Sequence, residues 1–231
     1  MVIEAVLFDS SGTLLRIESA ERRLRAVLDG HDIKADDDTI RMHARRLDAS
    51  GGLPGGTRPQ SIPDHLKEVW PLRDENAETH RAAFTGLARE AALPWPQLYD
   101  SLYERSFVPD AWQPYPDAAD VLAGLREQGV KTALVTNVGF DWRPIYRAHG
   151  LDDFLDAYVQ SYELGVTKPD PRIFQAACDA LGVAPERALM VGDERTADGG
   201  AEAIGCRYLP VDPLPVHQRP AALRPVLEMV G

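Results

Sequence analysis

The stretch AVLFDSSGTLL, Ala5 to Leu15, is the part of the chain that decides the fold. Its apolar residues Ala5 to Phe8 follow Val2 and Ile3 and stop abruptly at Asp9. A run this short, with no polar alternation, is the pattern of a strand buried on both faces, as in a parallel sheet. Gly12 then permits a tight turn behind the strand end. A carboxylate at that position stands where open α/β sheets gather their ligands, beyond the carboxyl ends of the strands.

Working outward, short apolar runs of this kind return in the second half of the chain, at Thr132 to Val135, Ala157 to Val159, Ala188 to Val191 and Arg207 to Val211. Stripes at helical spacing lie between them. Ala118, Val121, Leu122 and Leu125 predict a helix ending at Gly129, and a second is expected from Trp142 to His149. Ile173, Phe174, Ala177 and Leu181 predict another, opened by Asp170-Pro171 and closed by Gly182; a last helix should end at Gly205. Strand and helix in alternation specify an α/β, Rossmann-like parallel-sheet core with helices on both faces.

From about Arg16 to Trp112 the rhythm is helical, and no second strand of that buried, continuous kind is expected there. Leu24, Val27 and Leu28 mark one helix, closed by Gly30; Phe84, Leu87, Ala88 and Ala91 mark another, stopped by Pro94. Between them Gly51-Gly52-Leu53-Pro54-Gly55-Gly56 reads as a loop without dinucleotide-binding spacing. The expected organisation is therefore a core of residues 1–15 and 113–231 with a helical-bundle cap, 16–112, inserted after the first strand.

The 231 residues carry 25 basic and 36 acidic side chains, a formal net charge of −11, which argues against nucleic-acid partners because no concentrated basic patch offsets it. Arg41, Arg45 and Arg46 are helix-spaced and read as a solvated face. Cys178 and Cys206 sit in apolar contexts and read as packing residues. No signal peptide is visible and no run approaches a membrane span, so a cytoplasmic protein, monomer or homodimer, is expected.

Four polar positions follow predicted strands or open a helix: Asp9, Thr136, Lys168 and Asp193. Singly, each has a plainer explanation, since Asp commonly starts a helix and a Lys before Pro is commonly exposed. Jointly and in order they are specific. FDSSGTLL (Phe8 to Leu15), LVTN (Leu134 to Asn137), Lys168 in TKPDPRIF, and VGDERTADGGAEAIG (Val191 to Gly205) resemble the four motifs of the haloacid dehalogenase superfamily. The helical insertion is similar to the cap of its dehalogenase and phosphonatase branches.

The resemblance implies a Mg2+-dependent hydrolase with Asp9 as nucleophile, passing through a covalent aspartyl intermediate that water hydrolyses. Magnesium relieves the repulsion between a carboxylate and an anionic phosphate, and takes oxygen ligands. Asp9 and Asp193 are the expected ligands, with the backbone carbonyl of Ser11, and Asp198 binds directly or holds the water shell. Thr136 and backbone N–H groups near Ser10, Ser11 and Asn137 are expected to hold the phosphoryl oxygens, with Lys168 beside Asp9 as a fixed positive charge. A small phosphorylated molecule is the expected substrate, selected by the 51–58 loop and Arg58.

One position departs from the pattern. Phosphatases of this superfamily usually carry Asp two residues after the nucleophile as general acid, and here that residue is Ser11. A serine hydroxyl does not release a proton near neutral pH, whereas a carboxyl with a raised pKa does. This leaves a phosphohydrolase acting on activated esters or borrowing a proton donor from the cap, where His43, His65 and His80 are candidates. Alternatives are a phosphonatase-like enzyme using Lys34 or Lys67, a dehalogenase, and a weakened phosphate-binding protein. Asp193 and Asp198 count against the dehalogenase, which in this superfamily works without metal.

Overall fold

In the structure, a computed structural model that describes residues 2–230, Ala5–Phe8 form the central strand β1. The others are β2 (Leu15–Ile17), β3 (Trp112–Pro114), β4 (Lys131–Thr136), β5 (Ala157–Gln160), β6 (Ala188–Gly192) and β7 (Arg207–Pro210). Five of them form one parallel sheet in the order β5-β4-β1-β6-β7. Side chains of β1 alternate between two apolar layers. Ala5 and Leu7 pack with Ala133, Met190 and Phe174 on one face, and Val6 and Phe8 with Leu134, Leu189 and Leu122 on the other. The expected α/β core is present.

The chain moves from β1 outward to β4 and β5, then crosses back to β6 and β7 on the other side. The strand order therefore reverses between β1 and β6, and the crevice at such a reversal is where doubly wound sheets bind ligands. Asp9 and Asp193, the residues that follow these two strands, flank it.

Between β2 and β3 run α1 (Ala20–Gly30), α2 (Asp37–Ser50), α3 (Ala77–Arg89) and α4 (Tyr99–Glu104). They share a third apolar cluster of their own, including Leu24, Leu28, Leu47, Ala88 and Leu102. Ser19, Asp36 and Asn76 start the first three by accepting backbone N–H groups at 3.2, 2.9 and 2.9 Å. The core helices are α5 (Ala118–Glu127), α6 (Arg143–Ala148), α7 (Ser161–Leu164), α8 (Pro171–Leu181), α9 (Arg195–Asp198) and α10 (Pro225–Val230). For α8 the sequence signals hold: the Asp170 carboxylate accepts the Arg172 N–H at 2.9 Å, and Gly182 ends the helix at φ +63°. Cys178 and Cys206 are buried, and Arg41, Arg45 and Arg46 are exposed, as their contexts suggested.

Three local expectations differ from the structure. β2 and β3 pair antiparallel, with Arg16 opposite Gln113, so a two-stranded ribbon carries the chain into and out of the helical segment. Three-residue strands are too short to show a period, and the expected boundaries 16 and 112 fall inside this ribbon. Helix α1 runs through Gly30, and the left-handed residue behind it is Asp32, at φ +54°. The helix expected before Gly205 is one α turn, α9, continued as a 3-10 helix over Gly199–Ile204.

Phe174 is fully buried between α8 and the sheet. Phe174→Ala is expected to lower unfolding stability by about 3–5 kcal/mol, read as a lower urea midpoint at unchanged slope. Exposed Arg45→Ala should change it by less than about 0.5 kcal/mol.

Candidate active site

Lys168, in the loop between α7 and α8, sends its ammonium between two carboxylates. Its Nζ donates to Asp9 Oδ1 at 2.6 Å and to Asp198 Oδ1 at 2.6 Å, and all three residues are buried. The second oxygen of Asp198 accepts the Glu194 N–H at 2.8 Å, which holds the turn carrying Asp193. Carboxylate oxygens of Asp9, Asp193 and Asp198 lie within 4.8 Å of one another. Asn137, just past β4, grips the lysine backbone from both sides: its Oδ1 accepts the Lys168 N–H at 2.7 Å and its Nδ2 donates to the Lys168 carbonyl at 2.9 Å.

The turn behind Asp9 is held as firmly. Gly12 adopts φ +88°, and a Cβ there would stand 2.6 Å from Asp193 Oδ2, so both conformation and space require glycine. Thr13 donates its hydroxyl to Asp9 Oδ2 at 3.3 Å. Arg219, buried and stacked on the Tyr115 ring at 3.1 Å, donates to the Gly12 carbonyl at 2.6 Å and also to the Thr13 carbonyl.

One ammonium among three carboxylates leaves surplus negative charge out of water. Burial raises the Asp9 carboxyl most, Lys168 works against this, and Asp198 and Asp193 add to the rise, bringing it to about 7. Burial and the neighbouring Asp198 likewise push Asp193 up. Burial alone would lower Lys168, but Asp198 and Asp9 outweigh it and keep the ammonium charged. Clustered carboxylate oxygens with unbalanced negative charge fit a small, hard divalent cation.

Asp9, Thr136, Asn137, Lys168, Asp193 and Asp198 all border one cavity of 610 Å³, and Ser11 and Arg58 reach its rim. Gly55 crosses directly over Ser11, since a Cβ on it would lie 3.0 Å from Ser11 Oγ and 2.5 Å from the Trp112 ring. Arg58 is largely exposed and pairs with Glu194. Ser10 does not join them through its side chain: its hydroxyl turns into the core and shares a hydrogen bond with Tyr146 Oη at 3.0 Å. Alternation along the chain after β1 sends it there.

The cap candidates separate clearly. His43 packs edge-on against Trp95, His65 is exposed beside Glu90, and Lys34 and Lys67 are exposed and do not border the cavity. His80 does border it, as do Arg73 and Asp74 from the segment before α3. The last two carried no sequence signal, because WPLRDEN has neither period nor motif.

Comparison with known proteins bears on this site. The sequence profile of the haloacid dehalogenase-like hydrolases matches residues 3–205. The chain belongs to this family. Among haloacid dehalogenase-like relatives, it is 42% identical over 211 residues to glyceraldehyde 3-phosphate phosphatase of Methanopyrus kandleri, covering 88% of this chain and 82% of that one. It is 30% identical over 206 residues to (S)-2-haloacid dehalogenase 1 of Pseudomonas sp. (strain CBS-3), again covering 88% and 82%. The crystal structure of a HAD phosphatase from Thermococcus onnurineus superimposes with TM-score 0.56 at 27% identity, over 91% of this chain and 86% of that one. The family is thus a hydrolase family in which similar chains are named for phosphate and for halide substrates. No helix among the described residues is long and apolar enough to cross a membrane.

Asp9 gives this member a measurable pH signature. Its folded-state pKa of about 7 lies above the unfolded carboxyl value of 3.8, so between these limits the native state holds a proton that the unfolded state has lost. Stability of the metal-free protein therefore falls as pH rises across that window. Calorimetry should show Tm dropping between about pH 5 and pH 8, with a shallower drop for Asp9→Asn. A rising Tm over that range would contradict the charge surplus.

Proposed function

We propose that the chain is a magnesium-dependent phosphohydrolase acting on a small phosphorylated metabolite in the cytoplasm, with Asp9 as nucleophile. The observation that carries this reading is the convergence of Asp193 and Asp198 on Asp9. Displacing halide from carbon needs only one carboxylate, and two more beside it would repel the carboxylate of a haloacid. A phosphoryl group brought in with a cation needs such a cluster. The similarity to a relative named as a phosphatase supports the same choice.

In this reading Asp9, Asp193 and the Ser11 carbonyl would hold Mg2+, with Asp198 binding it directly or holding its water shell while it also anchors Lys168 and the Asp193 turn. Bound there, the cation would screen the repulsion between the incoming phosphate and Asp9. Asp9 attacks phosphorus with its carboxylate oxygen, the bond to the leaving oxygen breaks, and an aspartyl phosphate forms. Water then attacks phosphorus and returns the electron pair to Asp9. Thr136 and the N–H groups of the turn after Asp9 hold the equatorial oxygens, whose charge Lys168 helps to balance. Asn137 is a positioning residue, since both ends of its amide are spent on the Lys168 backbone. Residues 1–15 and 113–231 form the catalytic core, and 16–112 a cap whose Gly55 and Arg58 bear on substrate choice.

A dehalogenase is the second reading, favoured by Ser11, since a departing halide needs no proton. Turnover of p-nitrophenyl phosphate with magnesium, and chloride release from 2-chloropropionate, separate the two. Expected is phosphate release that stops on chelation and falls more than about 10³-fold in Asp9→Asn, with no chloride released. Chloride release without magnesium would reverse the assignment.

A further inference from the structure

Ser11 leaves the leaving-group oxygen without a proton from the usual side of the site. Among the cap residues that line the cavity, one is a carboxylic acid. Asp74 is 7% exposed and borders the same cavity as Asp9 and Lys168. We propose that Asp74 is the general acid that protonates the leaving oxygen, a role that rests on the phosphohydrolase reading above.

Its placement suits the task. In-line displacement puts the leaving oxygen on the far side of phosphorus from Asp9, and the cap residues Gly55, Arg73, Asp74 and His80 line the cavity that Asp9 borders. The backbone of Asp74 is moored to the core: Ser161 Oγ donates to the Asp74 carbonyl at 2.5 Å and itself accepts the Val138 N–H at 2.9 Å. One turn into α3, His80 presses so closely on Gly139 that a Cβ there would stand 2.2 Å from His80 Cβ. Thus a residue of the cap is held in register with the loop that follows β4.

The groups facing the carboxyl come from every side. Arg73 Nη2 lies 3.1 Å from Asp74 Oδ2, and His80 Nε2 lies 3.7 Å from Oδ1. Tyr103 from α4 stands behind the histidine, its hydroxyl 2.8 Å from His80 Nδ1. Lys168 and Arg58, which border the same cavity, add positive charge near the carboxyl. Burial raises the Asp74 carboxyl despite Arg73, Lys168 and Arg58, all of which lower it. Burial also drives His80 down to about 3, so the imidazole is neutral at working pH and does not compete as the acid.

The proton inventory closes over the two steps. As Asp9 bonds to phosphorus and the P–O bond breaks, the electron pair goes to the leaving oxygen, which takes the Asp74 proton. The resulting Asp74 carboxylate then accepts a proton from the water that attacks the aspartyl phosphate. The P–O bond to Asp9 breaks and Asp74 is again protonated.

The test compares the full-length protein with Asp74→Asn and Asp74→Glu, using magnesium with p-nitrophenyl phosphate and with glycerol 2-phosphate. Asp74→Asn should cut kcat on the alkyl ester by about 10²–10⁴-fold and on the aryl ester by less than about 10-fold, because phenolate departs unprotonated. Retained aryl turnover shows that the variant folds. For the unsubstituted protein, kcat on the alkyl ester should fall as pH rises through the raised Asp74 value; that limb should vanish in Asp74→Asn and return, shifted, in Asp74→Glu. Equal losses on both esters, or an unchanged alkaline limb, overturn the role of Asp74 and leave the phosphohydrolase reading standing. No magnesium-dependent turnover of either ester by the unsubstituted protein overturns both.

Discussion

A buried ammonium shared by two carboxylates is the interaction on which this architecture depends. Moving charged groups out of water costs several kcal/mol each, and the cost is recovered only when geometry and further hydrogen bonds are good. Lys168 meets that condition through Asp9 and Asp198, and Asn137 fixes the backbone from which the ammonium reaches them. The remaining imbalance is left uncorrected by the chain itself. That surplus is a local cost in stability of the kind functional sites generally carry.

Two kinds of structure meet at the cavity. The sheet supplies rigid positions, because Asp9 and Asp193 are carried by neighbouring strands packed on both faces. The helical segment has its own apolar cluster and returns to the core through a three-pair ribbon and a few contacts, notably Ser161 with Asp74 and Gly139 with His80. The sheet positions the carboxylate cluster, and the helical segment brings further residues to the same cavity. That arrangement is consistent with relatives named for phosphate and for halide substrates sharing one fold.

Legibility followed this division. Strand ends can be read because a fully buried strand must be apolar and must stop, which made Asp9, Thr136 and Asp193 visible in one sequence. Lys168 was visible through its motif and the helix start at Asp170-Pro171. The inward turn of the Ser10 hydroxyl could not be read, because its partner, Tyr146, is 136 positions away and nothing local announces it. The ribbon escaped notice because three residues show no period. Asp74 and Arg219 were silent for a related reason: each matters through contacts with distant backbone, and an isolated charged residue in a loop looks the same whether it is buried or solvated.

The Arg219 clamp bears on how the protein comes into being. The guanidinium closes on carbonyls of Gly12 and Thr13 from 207 positions downstream of Gly12. Chains leave the ribosome from the N-terminus, and their early segments wait for later ones before long-range contacts can form. The turn behind Asp9 is therefore synthesised well before the residue that clamps it. A nascent chain that stops short of residue 219 carries every motif residue, yet lacks the guanidinium that clamps the Gly12 and Thr13 carbonyls behind Asp9.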